Sequence, residues 1–124
     1  MRRVRILIVE DDTDLRRLFR AVLSIAGFDV DEAADGPEAL RVIDSKPPAL
    51  VTLDLQLPTL DGVSVQQELA ARARTCHIPI IIVTGSSIEV EGSNVSCVLR
   101  KPVSPDRLLH AVRQCLLRRS GSIV

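Results

Sequence analysis

Arg5-Ile6-Leu7-Ile8-Val9-Glu10-Asp11-Asp12 is an apolar run that ends abruptly on acids. Its β-branched residues and leucine follow one another without polar alternation, as in a strand buried on both faces. Buried strands of this kind belong to parallel sheets covered by helices.

Working outward, the same unit repeats. Leu15, Leu18, Phe19, Val22, Leu23 and Ala26 recur at helical spacing, and Gly27 ends that helix. Asp29–Ala33 reads as a shorter, more polar strand near a sheet edge. Gly36–Ser45 reads as a second helix with Ala39, Leu40 and Ile43 inward, stopped by Pro47-Pro48. Leu50–Leu53 is a third strand, ending on Asp54, and a loop over residues 56–62 carries Pro58 and Gly62. The spacing of Val65, Leu69 and Ala73 predicts a helix over about 61–75. Residues 80–83 form the clearest strand, and 96–99 read as a fifth. The last helix carries its start signals in order: Ser104 as N-cap, Pro105 in the first turn, Asp106 beside it. Leu108, Leu109, Val112, Cys115 and Leu116 give it an apolar face. Repeated βα units with aliphatic strands predict an α/β fold: a doubly wound parallel sheet of about five strands, helices on both faces.

Composition sets bounds. The 124 residues suit one domain, 1–124, with a core over about 4–118. Aromatic side chains are scarce, Phe19 and Phe28 alone, so the core must be aliphatic and no stacking platform for single-stranded nucleic acid is available. Sixteen basic and sixteen acidic residues leave a net charge of zero, so the chain shows no electrostatic footprint for nucleic acid. Bases gather at Met1-Arg2-Arg3-Val4-Arg5 and Arg118-Arg119, which read as solvated ends. Cys76, Cys97 and Cys115 are odd in number and lack metal-ligand spacing, so a reducing compartment and a role as small hydrophobes are expected. No apolar run is long enough to span a membrane or serve as a signal-peptide core, and a cytoplasmic protein without membrane insertion is expected.

The polar residues carry the chemistry. Glu10-Asp11 follow the first strand, Asp54 the third, Thr84 the fourth and Lys101 the fifth. In a parallel sheet those carboxyl ends share one edge, and ligands bind there where strand order reverses. Clustered carboxylates repel unless a cation joins them. Oxygen donors without nearby histidine favour Mg²⁺. A carboxylate whose charge is offset could attack phosphorus, with a Thr hydroxyl and a Lys ammonium holding the phosphoryl oxygens. Asp12 reads instead as a helix N-cap, and Asp14 as a first-turn acid. His77 and His110 read as surface residues.

Four pieces together resemble the receiver domain of bacterial two-component response regulators: Ile6-Leu7-Ile8-Val9-Glu10-Asp11-Asp12; Leu53-Asp54-Leu55-Gln56-Leu57-Pro58 with Asp61-Gly62; Val83-Thr84-Gly85; and Lys101-Pro102. The resemblance covers nearly the whole chain. It implies a flavodoxin-like sheet of order 2-1-3-4-5. It makes Asp54 the phosphoacceptor, with Mg²⁺ held by Asp11, Asp54, Glu10 through water and the Gln56 backbone carbonyl. Thr84 and Lys101 would hold the phosphoryl group, and the Lys101-Pro102 bond would be cis. The implied partners are a histidine kinase or phosphotransfer protein and a downstream protein target. No direct nucleic-acid contact is implied, and the oligomeric state is left open, a homodimer included. The implied protein is no enzyme beyond slow self-dephosphorylation.

Two departures stand out. Where such receivers carry an aromatic on the fifth strand this chain has Val98, and Val103 stands where Phe is common. The segment between Thr84 and Lys101 is also several residues short and rich in serine and β-branched residues, so the helix expected between the fourth and fifth strands is short or absent. Phosphorylation would then act on residues 85–95 without an aromatic flip. Two other classes are weighed: a Mg²⁺-dependent aspartyl-nucleophile phosphohydrolase, for which the chain has no room for a cap, and a non-phosphorylated pseudo-receiver, against which the complete set of site residues counts.

Overall fold

The computed structural model describes residues 3–121, with side chains to residue 118. The basic residues Arg2 and Arg119 lie outside that description in whole or in side chain. Five parallel strands, β1 (Arg5–Val9), β2 (Asp29–Ala33), β3 (Leu50–Leu53), β4 (Ile80–Thr84) and β5 (Val95–Arg100), form one sheet of order β2-β1-β3-β4-β5. Four helices accompany them: α1 (Thr13–Ile25), α2 (Gly36–Ser45), α3 (Gly62–Ala71) and α4 (Pro105–Gly121).

Pleating explains the two-sided core, because successive strand residues face opposite ways. Leu7, Val9, Val51, Leu53, Ile80 and Ile82 face α2 and α3, meeting Ala39, Ile43, Val65 and Leu69. Ile6, Ile8, Leu50, Ile81, Val83 and Leu99 face α1 and α4, meeting Phe19, Leu23, Leu108 and Val112. Helices on both sides make the sheet doubly wound, and its order reverses between β1 and β3.

Local signals place the helices. Asp12, Asp35 and Asp61 each cap a helix by accepting a backbone N–H three residues on. Asp12 is thereby the N-cap that the sequence indicates. Ser104 accepts the Arg107 N–H at the start of α4. Gly27, at φ 101°, takes the left-handed position that closes α1.

Four expectations need correction. The third helix ends at Ala71, short of Thr75, because Arg72 turns extended and the Thr75 hydroxyl donates to the freed Leu69 carbonyl at 2.7 Å. Ala73 is consequently exposed. Leu18, expected inward, faces outward on α1, which buries only Phe19 and Leu23 fully. Cys76 is exposed rather than packed, since it sits in that turn. Finally, the basic N-terminal residues are more than solvated: Arg5 pairs with Asp31 at 2.9 Å, and Arg3 lies 3.9 Å from Asp29, both on edge strand β2.

No helix forms between β4 and β5. Residues 85–94 cross the α3 face as an irregular strap. Asn94 and Gln66, both buried, anchor its far end: Gln66 Nε2 donates to Asn94 Oδ1 at 2.8 Å, and Asn94 Nδ2 to the Gln66 carbonyl at 3.1 Å. Val90 packs against the core on this face.

Candidate functional site

The site is assembled at the carboxyl edge, beside the reversal of strand order. Glu10 and Asp11 leave β1, and Asp54 leaves β3, the neighbouring strand. The sheet continues briefly past both strands: the Asp54 N–H donates to the Val9 carbonyl at 3.1 Å, and the Glu10 N–H to the Ala33 carbonyl at 3.0 Å. Each acid is therefore held by the ladder that precedes it.

One carboxylate oxygen from each of Glu10, Asp11 and Asp54 lies within 4.8 Å of the others. Glu10 and Asp54 are 2% and 3% exposed, while Asp11 faces solvent. Lys101 reaches in from the end of β5, with Nζ 2.7 Å from Glu10 Oε1 and 2.9 Å from Asp54 Oδ2. The Lys101-Pro102 bond is cis. Backbone donors take other oxygens: the Gln56 N–H meets Asp54 Oδ1 at 3.0 Å, and the Asp12 N–H meets Glu10 Oε2 at 3.1 Å.

Burial pushes the Glu10 carboxyl above the ordinary glutamate range; Lys101 and the Asp12 N–H pull the other way, and the Asp54 charge adds to the rise. For Lys101, burial alone would lower the pKa, but its hydrogen bonds and charge pairing with Glu10 and Asp54 outweigh burial and raise it. One ammonium thus serves two buried carboxylates with a third nearby. An all-oxygen cluster with more negative than positive charge suits a hard divalent cation.

Thr84, the last residue of β4, is fully buried. Its hydroxyl accepts the Ser86 N–H at 3.1 Å, and its carbonyl accepts the Lys101 N–H at 2.9 Å. It shares the edge and is linked to Lys101 through the backbone. The structure thus brings Glu10, Asp11, Asp54 and Lys101 into one cluster, with Gln56 contributing its N–H and Thr84 alongside.

Arg16 escapes a reading of motifs by residue type, and Gly62, named there as part of a motif, has a contact that the motif does not reveal. Gly62 packs its Cα onto the phosphoacceptor candidate: a Cβ there would stand 2.1 Å from the Asp54 carbonyl oxygen. Arg16 donates from Nη1 to the Glu10 carbonyl at 2.8 Å. Its one trace in sequence is its place one turn beyond the Asp12 cap, from which a long side chain leans back over the helix start.

Comparison with known proteins agrees with this geometry. Residues 6–113 match the response regulator receiver domain family. Among curated proteins, the chain is 38% identical over 123 residues to a probable transcriptional regulator ycf27 of Porphyridium aerugineum, covering 95% of this chain and 50% of that protein. It is 39% identical over 122 residues to the response regulator MprA of Mycolicibacterium vanbaalenii, covering 94% and 52%. The chain therefore spans about half the length of these relatives. Among solved structures, a CheY-like receiver domain protein of Methanospirillum hungatei JF-1 superimposes with a TM-score of 0.88 at 27% identity, covering 98% of this chain and 99% of that one. Family match, relatives and fold agree: the chain belongs to the response regulator receiver domains, the phosphoacceptor signalling modules of two-component systems.

Proposed function

We propose that Asp54 is the residue that takes the phosphoryl group, with Mg²⁺ held by Glu10, Asp11, Asp54 and the Gln56 carbonyl. The observation that carries this reading is the Lys101 ammonium shared between Asp54 and Glu10 at the edge where strand order reverses. Asp54 is buried, with the Gln56 N–H on one oxygen and Lys101 on the other. Glu10 shares that pattern but leaves β1, whereas Asp54 leaves β3, on the inner side of the strand reversal.

An Asp54 oxygen attacks phosphorus, and the bond from phosphorus to the donor's imidazole nitrogen breaks. The nitrogen leaves with its electron pair and takes a proton. Lys101, already 2.9 Å from Asp54, shifts onto a phosphoryl oxygen and offsets its charge. The Thr84 hydroxyl, which accepts from Ser86 here, donates to another. Mg²⁺ held by Glu10, Asp11, Asp54 and the Gln56 carbonyl would supply the remaining neutralisation of the clustered acids and the phosphoryl oxygens. The same residues permit slow hydrolysis of the aspartyl phosphate, so the protein acts as a stoichiometric switch and turns over no separate substrate.

The phosphodonor is a histidine kinase or a phosphotransfer protein, and the output is a changed surface read by a protein target. The chain works in this reading as one domain with its core over about residues 4–118, in the cytoplasm where its kinase presents phosphohistidine. No helix among the described residues is long and apolar enough to cross a membrane. The test is incubation with acetyl phosphate and Mg²⁺ followed by intact mass. A single phosphoryl adduct that disappears in Asp54→Asn is expected. An adduct persisting in that variant would overturn the assignment.

A further inference from the structure

We propose that Arg16 is a positioning residue that sets the backbone of Asp11 for the divalent cation, an inference that rests on reading the acidic cluster as a Mg²⁺ site. Among the described residues the Asp11 carboxylate has no hydrogen bond or ion pair, and the side chain faces solvent. Its direction must therefore come from the backbone on either side. Both flanking carbonyls are held by one residue. The Glu10 carbonyl accepts from Arg16 Nη1 at 2.8 Å, and the Asp12 carbonyl accepts the Arg16 backbone N–H at 2.9 Å.

The guanidinium is itself fixed. Arg16 Nε donates to Glu32 Oε1 at 3.0 Å, and the other Glu32 oxygen is taken by Arg20. Glu32 sits on β2 in register with Ile8 of β1. Its neighbour Ala33 accepts the Glu10 N–H at 3.0 Å. Edge strand β2 thus grips the residue before Asp11 twice, once directly and once through Glu32 and Arg16. A planar fork can bond Glu32 and the Glu10 carbonyl at once; a lysine ammonium at this reach cannot hold both in one fixed geometry.

Charge and positioning make opposite demands here. A cation near a metal site opposes the metal, so on charge alone removing Arg16 should tighten Mg²⁺ binding. If Arg16 positions Asp11, its removal should weaken binding, because the ligand loses its fixed direction. Glu32, shared with Arg20, offsets only part of the guanidinium charge, so the two demands remain distinguishable.

The experiment is a ¹H–¹⁵N NMR titration of the chain with MgCl₂, for wild type, Arg16→Met, Arg16→Lys and an Asp11→Asn control. The Kd of Arg16→Met should rise on the order of tenfold, the usual scale for loss of an outer support of a metal ligand. The thermal midpoint of each metal-free form shows that the fold persists. Arg16→Lys retains the charge and should still bind several-fold more weakly, which keeps the question open to measurement if Arg16→Met does not fold. A Kd equal to or below that of wild type in either variant would overturn the inference. If wild type shows no saturable shift that Asp11→Asn abolishes, the metal-site reading fails, and this inference with it.

Discussion

Two connections leave the carboxyl edge beside the site and solve the return to the sheet differently. After β3 the chain turns at Asp61, caps α3 and comes back as β4. After β4 it crosses through residues 85–94 with no helix and rejoins as β5. The first connection is held by a helix whose opening glycine touches the Asp54 backbone. The second is held by a pair of buried amides, Gln66 and Asn94. A parallel crossover needs somewhere to place its backbone polar groups. A helix does this locally, whereas a strap must borrow partners from the helix it crosses.

Substitutions on the two sides should differ in size. The largest effect is expected from Gly62→Ala, whose Cβ would meet backbone at 2.1 and 2.6 Å, at Asp54 and Leu55. Backbone on both sides of the site cannot give way, so a loss of about 3 kcal/mol is expected in urea unfolding. A loss under about 1 kcal/mol would show that this connection is less rigid than described.

Asn94→Ala comes next. It strands the buried Gln66 amide and should cost about 2 kcal/mol. Hydrogen exchange should quicken around residues 92–95 and stay slow in the first turns of α3. Equal acceleration in both regions would erase the distinction between helix and strap.

Proton competition should be felt on the β1–β3 side. Glu10 titrates above the ordinary glutamate range, so its proton competes with Mg²⁺ as pH falls. Affinity should be full above that raised pKa and drop up to tenfold per pH unit below it, equivalent to about 1.4 kcal/mol. Titrations at several pH values check the sign. In Glu10→Gln the slope should flatten, while Kd at neutral pH rises.

The smallest effect belongs to Gly85→Ala at the start of the strap. Its Cβ would meet nothing within 4 Å. Stability should stay within about 0.5 kcal/mol of wild type, as thermal unfolding would show.

The same contrast explains what could be read in advance. Strands and caps were legible because each depends on adjacent residues: Ile6 to Val9 needs only its own aliphatic run, and Asp12 and Ser104 need only the next turn. The convergence of Glu10, Asp54 and Lys101 followed from parallel strands sharing an edge. That the helix in the strap would be short or absent was legible from its serines and β-branched residues, and it is absent. The Gln66–Asn94 latch was not, because nothing local marks two amides 28 positions apart as partners. Arg16 was hidden for a similar reason: its anchor Glu32 lies on another strand. The third helix was drawn too long because Ala73 kept the period, while the break at Arg72 depends on Thr75 folding back onto Leu69.

The strap also bears on how the sheet closes during folding. Ile81 pairs with Cys97, 16 positions away, whereas Ile6 pairs with Leu50, 44 positions away. Chain-closure entropy grows with the logarithm of that separation, so β5 joins β4 about 0.9 kcal/mol more cheaply than β3 joins β1. Omitting a helix removes local hydrogen bonds but shortens the search for the last strand, and the β4–β5 pair, the one that delivers Lys101, is the least costly of these two closures.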